Sequence, residues 1–139
     1  MASPQKSVIV TGGASGIGLA MSRHFASQGH QVALLDVNSD AGQKEAEKLA
    51  VEYPAAAVRF KKCDVASWDE LAAVFKEVFS EHGGRLDIVM ANAGIAEGGG
   101  VTVVDLDEEE PSPPRLKTLD INLIGVIYCE GFCSIRWQK

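Results

Sequence analysis

The feature of this sequence that most restricts its fold is the alternation of short apolar runs with segments of helical periodicity. The apolar runs predict strands at 7–11, 31–36, 58–63 and 86–91, and the other segments predict helices at 16–27, 40–53, 68–82 and from 115 through 129. Ser67 and Glu70 predict a capping box at the start of the third helix. Strands separated by helices of about a dozen residues pair in parallel, with right-handed crossovers and helices on both faces of the sheet. We therefore predict a doubly wound, parallel α/β fold.

Length and composition are those of one ordinary globular domain that spans residues 1–139. The net charge of −6 argues against a general nucleic-acid or anionic-membrane binder, because phosphate groups attract lysine and arginine. No apolar run approaches the roughly 18 to 20 residues of a membrane span, and residues 1–6 are too polar for a signal peptide. Three cysteines without a Cys-x-x-Cys pair, and three scattered histidines, indicate neither a disulfide framework nor a metal site. We expect a cytoplasmic protein.

A glycine cluster follows the first predicted strand, in the segment Thr11-Gly12-Gly13-Ala14-Ser15-Gly16-Ile17-Gly18. Ligands of doubly wound sheets bind outside the carboxyl ends of the strands. An abrupt turn from strand to helix presents backbone N–H groups and the positive end of the helix dipole, and glycines let a pyrophosphate approach that backbone. A nucleotide-triphosphate loop is excluded, because Leu19 and Ala20 stand where lysine and serine or threonine are required. The alternative is a glycine-rich turn without a ligand.

Asp36, at the end of the second predicted strand, is the candidate contact for an adenosine ribose. A carboxylate at this position accepts hydrogen bonds from the ribose diol and repels the 2′-phosphate of NADP. Ser15 in the glycine cluster is uncharged, and residues 37–39 contain no lysine or arginine. These residues favour NAD over NADP as the cofactor. The alternative is that the Asp36 carboxylate only caps a turn.

Four motifs, in this order and spacing, resemble those of the short-chain dehydrogenase/reductases, a family of NAD(P)-dependent enzymes. The motifs are Thr11-Gly12-x3-Gly16-x-Gly18, Asp36, Asp64-Val65 and Asn92-Ala93-Gly94, which follow or end the four predicted strands. The sequence is similar in character to the 15-hydroxyprostaglandin dehydrogenase-like members. The resemblance implies a Rossmann-type domain with strand order 3-2-1-4. It also implies hydride transfer between NAD and a small-molecule secondary alcohol or ketone.

The resemblance further implies how the first two motifs hold the dinucleotide. Gly12, Gly16 and Gly18 would line it, and Ile17 would pack beside it. Asp36 would hold the adenosine ribose.

The remaining two motifs would hold the adenine end of the dinucleotide. Asp64 would accept a hydrogen bond from the adenine amino group, while the backbone of Val65 would flank the ring. At the end of the fourth strand, Asn92, Ala93 and Gly94 would lie beside the adenine-ribose side of the dinucleotide. Thr11 would brace this strand end. Ala91 departs from the asparagine that most members carry at that position.

Asn122 matches the helix asparagine of the family, which kinks the helix and helps to hold a water molecule in the proton relay. The alternative is a polar helix residue satisfied by a neighbour. The family's chemistry also needs a Tyr-x-x-x-Lys pair and an upstream serine. The fourth residue after Tyr53 is Ala57, and the fourth after Tyr128 is Phe132, so no such pair is present. We expect the chain to be inactive, with Asn122 as a remnant of the relay.

The chain is expected to be truncated before a fifth strand, as a misread exon boundary or a premature stop would produce; the alternative is a native short isoform. Runs of glycine, proline and acidic residues predict a flexible polar loop at 96–114, and the loss of apolar spacing marks an atypical tail at 130–139. Such a chain would expose a strand edge and a helix face, which favours a homo-oligomer. Two other functions are left open: a non-catalytic NAD-binding or interaction module, and a Rossmann-like methyltransferase.

Overall fold

The computed structural model describes residues 4–96 and 116–134, which form a four-stranded parallel sheet with helices on both faces. The strands are β1 (Ser7–Thr11), β2 (Gln31–Asp36), β3 (Ala57–Lys62) and β4 (Ile88–Met90). The helices are α1 (Gly16–Ser27), α2 (Ser39–Glu52), α3 (Trp68–Glu81), α4 (Lys117–Leu119) and α5 (Gly125–Ser134), and a π-helical segment, Asp120–Ile124, joins the last two. Within these ranges no helix is long and apolar enough to cross a membrane. The strand order β3-β2-β1-β4 confirms the predicted doubly wound, Rossmann-type topology.

Alternate residues of β1 and β2 face opposite sides of the sheet and build two hydrophobic clusters. The cluster on the α3 and α5 side contains Ile9, Ala33, Leu35, Leu71, Phe75, Val78 and Phe132. The cluster on the α1 and α2 side contains Val8, Val10, Val32, Leu34, Ala26 and Leu49. Strands β1 and β2 each pair on both sides, and every residue of β1 is buried. The polar residues at the strand ends are therefore the ones free to form a site.

Helix α3 begins after Ser67 as predicted, but only half of the capping box suggested by Ser67 and Glu70 forms. Ser67 Oγ accepts a hydrogen bond from the Glu70 backbone N–H at 3.3 Å. The Ser67 backbone N–H donates to the Asp64 carbonyl at 3.0 Å, so it does not need the Glu70 carboxylate. That carboxylate accepts instead from the Asp64 N–H at 2.9 Å. Glu70 thus links the helix to the residues that leave β3.

Strand β4 is shorter than the predicted 86–91, and near both of its ends side chains accept hydrogen bonds from backbone N–H groups. Before it, the Asp87 N–H donates to the Ser7 carbonyl at 3.0 Å, and Asp87 Oδ2 accepts from the Ser7 N–H at 2.8 Å. After it, the Thr11 hydroxyl accepts from the N–H groups of Asn92 and Ala93. These hydrogen bonds hold β4 against β1 without extending the paired part of the two strands.

The last helix is longer than predicted, because it continues past Cys129 to Ser134. Phe132, which falls within the predicted tail at 130–139, is buried, and its ring stacks on Trp68 with centroids 4.6 Å apart. One aromatic anchor therefore compensates for the loss of regular apolar spacing. The predicted loop at 96–114, apart from its first residue, and the tail residues 135–139 lie outside the described residues.

A buried histidine at the amino-terminal edge of the sheet makes the stability of the fold depend on pH. His82 Nδ1 lies 2.6 Å from the Ser7 hydroxyl oxygen. Burial lowers the pKa of His82, with Arg59 and Lys61 acting in the same direction and Glu81 opposing them. The folded chain therefore binds a proton at His82 less readily than the unfolded chain does, and stability should fall as pH drops below the ordinary histidine pKa of about 6.5.

We expect the melting temperature of the unmodified chain to fall between pH 7 and pH 5.5, and His82→Gln to flatten that dependence because it removes the group that must stay neutral. Thermal melting followed by circular dichroism across this pH range measures the effect. The matched control is His24→Gln, at an exposed position on α1. Equal pH slopes for the unmodified chain and His82→Gln would rule out this histidine as the source.

Candidate cofactor-binding site

A cleft of about 400 Å³ opens at the carboxyl ends of the strands. Residues that end or follow each strand line it: Gly12, Ser15, Gly16 and Ile17 after β1; Asp36 and Val37 at the end of β2; Cys63, Asp64 and Val65 after β3; Asn92, Ala93, Gly94 and Ile95 after β4; and Ile121 from the π-helical segment. This is where a doubly wound sheet binds its ligand. Among the described residues, the lining includes two carboxylates and no lysine or arginine.

The N-terminus of α1 opens at this cleft without a side-chain cap. Ser15 precedes the helix in an extended conformation, and its hydroxyl makes no capping hydrogen bond. The next two helices differ, because Asn38 caps α2 and Ser67 caps α3. The uncapped first turn of α1 and the positive end of its dipole therefore suit an anion such as a pyrophosphate.

Three glycines of the cluster have different positions relative to the cleft. Gly12 and Gly16 line it with positive φ angles of 63° and 51°, a conformation that favours glycine. Gly18 is buried behind the wall and is not part of the lining. A Cβ at Gly18 would overlap the Gly12 carbonyl oxygen and lie 2.6 Å from Asn92 Nδ2. Gly18 therefore lets α1 pack closely against the glycine cluster, and its expected contact with a dinucleotide stays a prediction.

Asp36 is held at the end of β2 by two backbone N–H groups. Its Oδ2 accepts a hydrogen bond from Ala14 in the glycine cluster at 3.2 Å, and its Oδ1 accepts from Asn38 at 3.0 Å. The bond to Asn38 is the turn cap considered as the alternative, and the bond to Ala14 orients the carboxylate toward the glycine cluster. Because each carboxylate oxygen has two lone pairs, both oxygens keep acceptor capacity for a ribose hydroxyl.

The segment after β3 supplies one wall of the cleft through Cys63, Asp64 and Val65. Asp64 Oδ1 accepts a hydrogen bond from the Ala66 N–H at 2.9 Å, which fixes the carboxylate close to its own backbone. Burial raises the pKa of the Cys63 thiol to about 12, so this side chain is neutral near pH 7 and adds no negative charge to the wall. On the far side of Val65 lies Gly125, where a Cβ would come within 2.8 Å of Val65 Cγ2.

The end of β4 is braced by Thr11, as the resemblance implied. The buried Thr11 Oγ1 accepts from the N–H groups of Asn92 and Ala93, both at 3.0 Å, and donates to the Met90 carbonyl at 3.4 Å. Asn92 Nδ2 in turn donates to the Thr11 carbonyl at 3.1 Å. One hydroxyl thus positions the backbone from Met90 to Ala93 along the cleft.

Asn122 lies in the π-helical segment, which interrupts the regular α-helical hydrogen bonding between α4 and α5. Its Oδ1 accepts from the Ile95 N–H at 2.8 Å, and its Nδ2 donates to the Ile95 carbonyl at 2.9 Å. The side chain therefore holds the backbone that follows Gly94, and it is not itself part of the cleft lining. Its expected part in a proton relay stays a prediction.

Four residues of the lining were not predicted from the sequence: Val37, Cys63, Ile95 and Ile121. Val37 and Cys63 directly follow β2 and β3, so the rule that ligands bind at strand ends could have included them. Ile95 and Ile121 are brought to the cleft by the paired hydrogen bonds between Asn122 and Ile95. No sequence pattern indicates these bonds.

The sequence matches the short chain dehydrogenase family over residues 6–134. It is 35% identical over 130 residues to the NADP-dependent dehydrogenase clz5 of Cochliobolus lunatus, covering 88% of this chain and 43% of that protein. It is 38% identical over 120 residues to the tropinone reductase-like 2 protein of Erythroxylum coca, covering 86% of this chain and 41% of that protein. The fold is similar to the NADPH-dependent 3-quinuclidinone reductase of Rhodotorula rubra, with a TM-score of 0.75, 29% identity, and coverage of 95% of this chain and 47% of that one. The chain spans less than half the length of these relatives, and it belongs to the short-chain dehydrogenase/reductase family.

Proposed function

We propose that this chain is the NAD-binding portion of a short-chain dehydrogenase/reductase whose reaction moves a hydride between NAD and a small secondary alcohol or ketone. The observation that carries the proposal is the uncapped N-terminus of α1 at the same cleft as the Asp36 carboxylate. The helix end suits the pyrophosphate and Asp36 suits the adenosine ribose. When bound, the nicotinamide supplies the redox chemistry, and the protein supplies binding and orientation. The cytoplasmic location and the likeness to 15-hydroxyprostaglandin dehydrogenase stay predictions.

The preference for NAD rests on this chain's own residues, because two of the relatives above are NADP- or NADPH-dependent by name. Asp36 presents a carboxylate where the 2′-phosphate of NADP would lie, and the described lining offers no lysine or arginine to neutralise that phosphate. The neighbouring Val37 is exposed and also lines the cleft. A positive charge at this position would therefore face the 2′-phosphate.

We expect the double variant Asp36→Ala, Val37→Arg to reverse the cofactor preference by removing the repulsive carboxylate and adding a phosphate contact. Val37 is a better position for arginine than Asn38, because the Asn38 side chain caps α2 through the Ala41 N–H at 3.1 Å. Calorimetric titration of NAD and NADP into both proteins measures the change. Asp40→Ala, in the first turn of α2 outside the lining, is the matched control. Equal or tighter binding of NADP by the unmodified chain would contradict the preference.

We also expect no dehydrogenase activity from the 139-residue chain, because neither of its two tyrosines is followed by the lysine that would lower the tyrosine pKa. A positioned acid or base typically contributes about 10² to 10⁴-fold to the rate. Hydride transfer from a panel of secondary alcohols to NAD should stay at background. Turnover that is lost in Asn122→Ala would show that another residue replaces the tyrosine. Background turnover together with tight NAD binding would favour the alternative, a non-catalytic NAD-binding or interaction module.

A further inference from the structure

The segment 64–67, here called the adenine loop, leads from the end of β3 to the start of α3 and forms part of the cleft wall. Three of its hydrogen bonds meet at Asp64. The Ser67 N–H donates to the Asp64 carbonyl at 3.0 Å, the Ala66 N–H donates to Asp64 Oδ1 at 2.9 Å, and the Asp64 N–H donates to Glu70 Oε2 at 2.9 Å. The first two bonds lie within the loop, so of these three bonds, all between described residues, the one to Glu70 ties Asp64 to the body of α3.

Capping of α3 does not account for the Glu70 carboxylate. Ser67 caps the helix by accepting the Glu70 backbone N–H, a bond that survives any change of the Glu70 side chain. In a complete capping box the carboxylate would accept from the Ser67 N–H, but that donor is already taken by the Asp64 carbonyl. The Glu70 carboxylate instead accepts a hydrogen bond from the backbone N–H of Asp64, which lines the cleft. Loss of this side chain should therefore loosen the adenine loop more than the helix.

A second contact fixes the loop from the opposite side. Val65 is buried and packs so closely on α5 that a Cβ at Gly125 would lie 2.8 Å from Val65 Cγ2. With Val65 pressed against α5 and the Asp64 amide held by α3, the two residues that line the cleft are each tied to a different helix. The Asp64 carboxylate is then held in one orientation, which is the condition for selective hydrogen bonding to a ligand.

We propose that Glu70 is a positioning residue, which holds Asp64 so that its carboxylate can recognise the exocyclic amino group of adenine. The inference rests on the proposed function, because it requires a dinucleotide in the cleft. Glu70 itself is not part of the cleft lining. It acts through the Asp64 backbone N–H, so its effect should be confined to ligands that offer Asp64 a hydrogen-bond donor.

The test compares NAD with nicotinamide hypoxanthine dinucleotide, an analogue that lacks the adenine amino group. The unmodified 139-residue chain should bind NAD more tightly than the analogue. Glu70→Ala should weaken NAD binding roughly three- to tenfold, the range expected for the loss of one ordinary hydrogen bond, and weaken analogue binding less than twofold. Glu70→Gln keeps an oxygen acceptor and should restore most of the preference. Asp69→Ala, in the same helical turn, is the matched control and should change neither affinity.

The outcomes separate this inference from the proposed function. Equal weakening of NAD and analogue binding in Glu70→Ala would mean that the residue serves stability alone and would overturn the inference, as would unchanged NAD binding. Failure of the unmodified chain to bind either dinucleotide would contradict the proposed function and the inference together. Circular dichroism of each variant confirms that the compared proteins are folded.

Discussion

Replacement of Gly18 by alanine should abolish dinucleotide binding and destabilise the chain by about 3 kcal/mol or more, toward the upper end of the effects of overpacking. The added Cβ would overlap the Gly12 carbonyl oxygen and crowd Asn92 Nδ2, which belong to two different segments of the cleft wall. Neither the Gly12 carbonyl nor the Asn92 side chain can move without a large energetic cost. Gly12 has a positive φ, and the Asn92 amide nitrogen donates to the Thr11 carbonyl. Urea unfolding and NAD titration measure the two losses.

Gly16→Ala is the matched control for stability. Gly16 also has a positive φ, but among the described residues no atom apart from its chain neighbours and its own helix backbone lies within 4 Å of a Cβ built there, so this variant isolates the conformational penalty of about 1 to 2 kcal/mol. Gly18→Ala should be clearly the less stable of the two. If Gly18→Ala were as stable as the unmodified chain, the close contact between α1 and the glycine cluster would not be a packing constraint.

The second large effect concerns the face of the last helix that the described residues leave uncovered. From the residue before α4, through the π-helical segment and into α5, four apolar side chains are each between 51% and 57% exposed: Leu116, Leu119, Leu123 and Ile127. An apolar row of this kind favours self-association in water. In the described part of the sheet, β4 also pairs only with β1, so its other edge is open to a further strand. We therefore expect the 139-residue chain to form oligomers or aggregates when expressed alone.

The double variant Leu119→Lys, Leu123→Lys should shift the chain toward a soluble monomer, because two charges on this face make its burial between copies unfavourable. Size-exclusion chromatography with light scattering measures the shift. Val51→Lys, which changes an 84% exposed residue on α2, is the matched control and should leave the assembly unchanged. A charge at Val89 on the β4 edge is a poorer choice, because that side chain packs against the core. A monomeric unmodified chain with a cooperative, high-temperature transition would contradict this expectation.

The sequence predicted the fold because its main signals are local. Four apolar runs, the glycine cluster and the Ser67 cap each report on neighbouring residues, and they give the same order of elements as the structure. The strand-end rule then places Asp36, Asp64 and Asn92 around one cleft. The lengths of individual strands and helices were less well predicted. Strand β4 is shorter than predicted, with side-chain hydrogen bonds to the distant β1 near both of its ends, and α5 is long because Phe132 stacks on Trp68.

The details of the site depend on contacts between residues far apart in the chain. The Gly-x-Gly spacing does not distinguish Gly16, which lines the cleft, from Gly18, which packs behind it. Asn122 was identified by resemblance, but its pair of hydrogen bonds to Ile95 crosses 27 positions of sequence. Glu70 was expected to complete a capping box, and its use on Asp64 depends on Ser67 already being paired. Such choices among competing partners are made only when the chain is folded.

The most direct test of the account is to map the backbone amide resonances of the ¹⁵N-labelled chain during titration with NAD. We expect the largest shifts at the carboxyl-terminal edge of the sheet, at Ile17, Asp36, Val65 and Ala93. Amides at the opposite edge, at His30 and His82, should not move. Shifts confined to that opposite edge, or none at saturating NAD, would contradict the assignment of this cleft as the dinucleotide site.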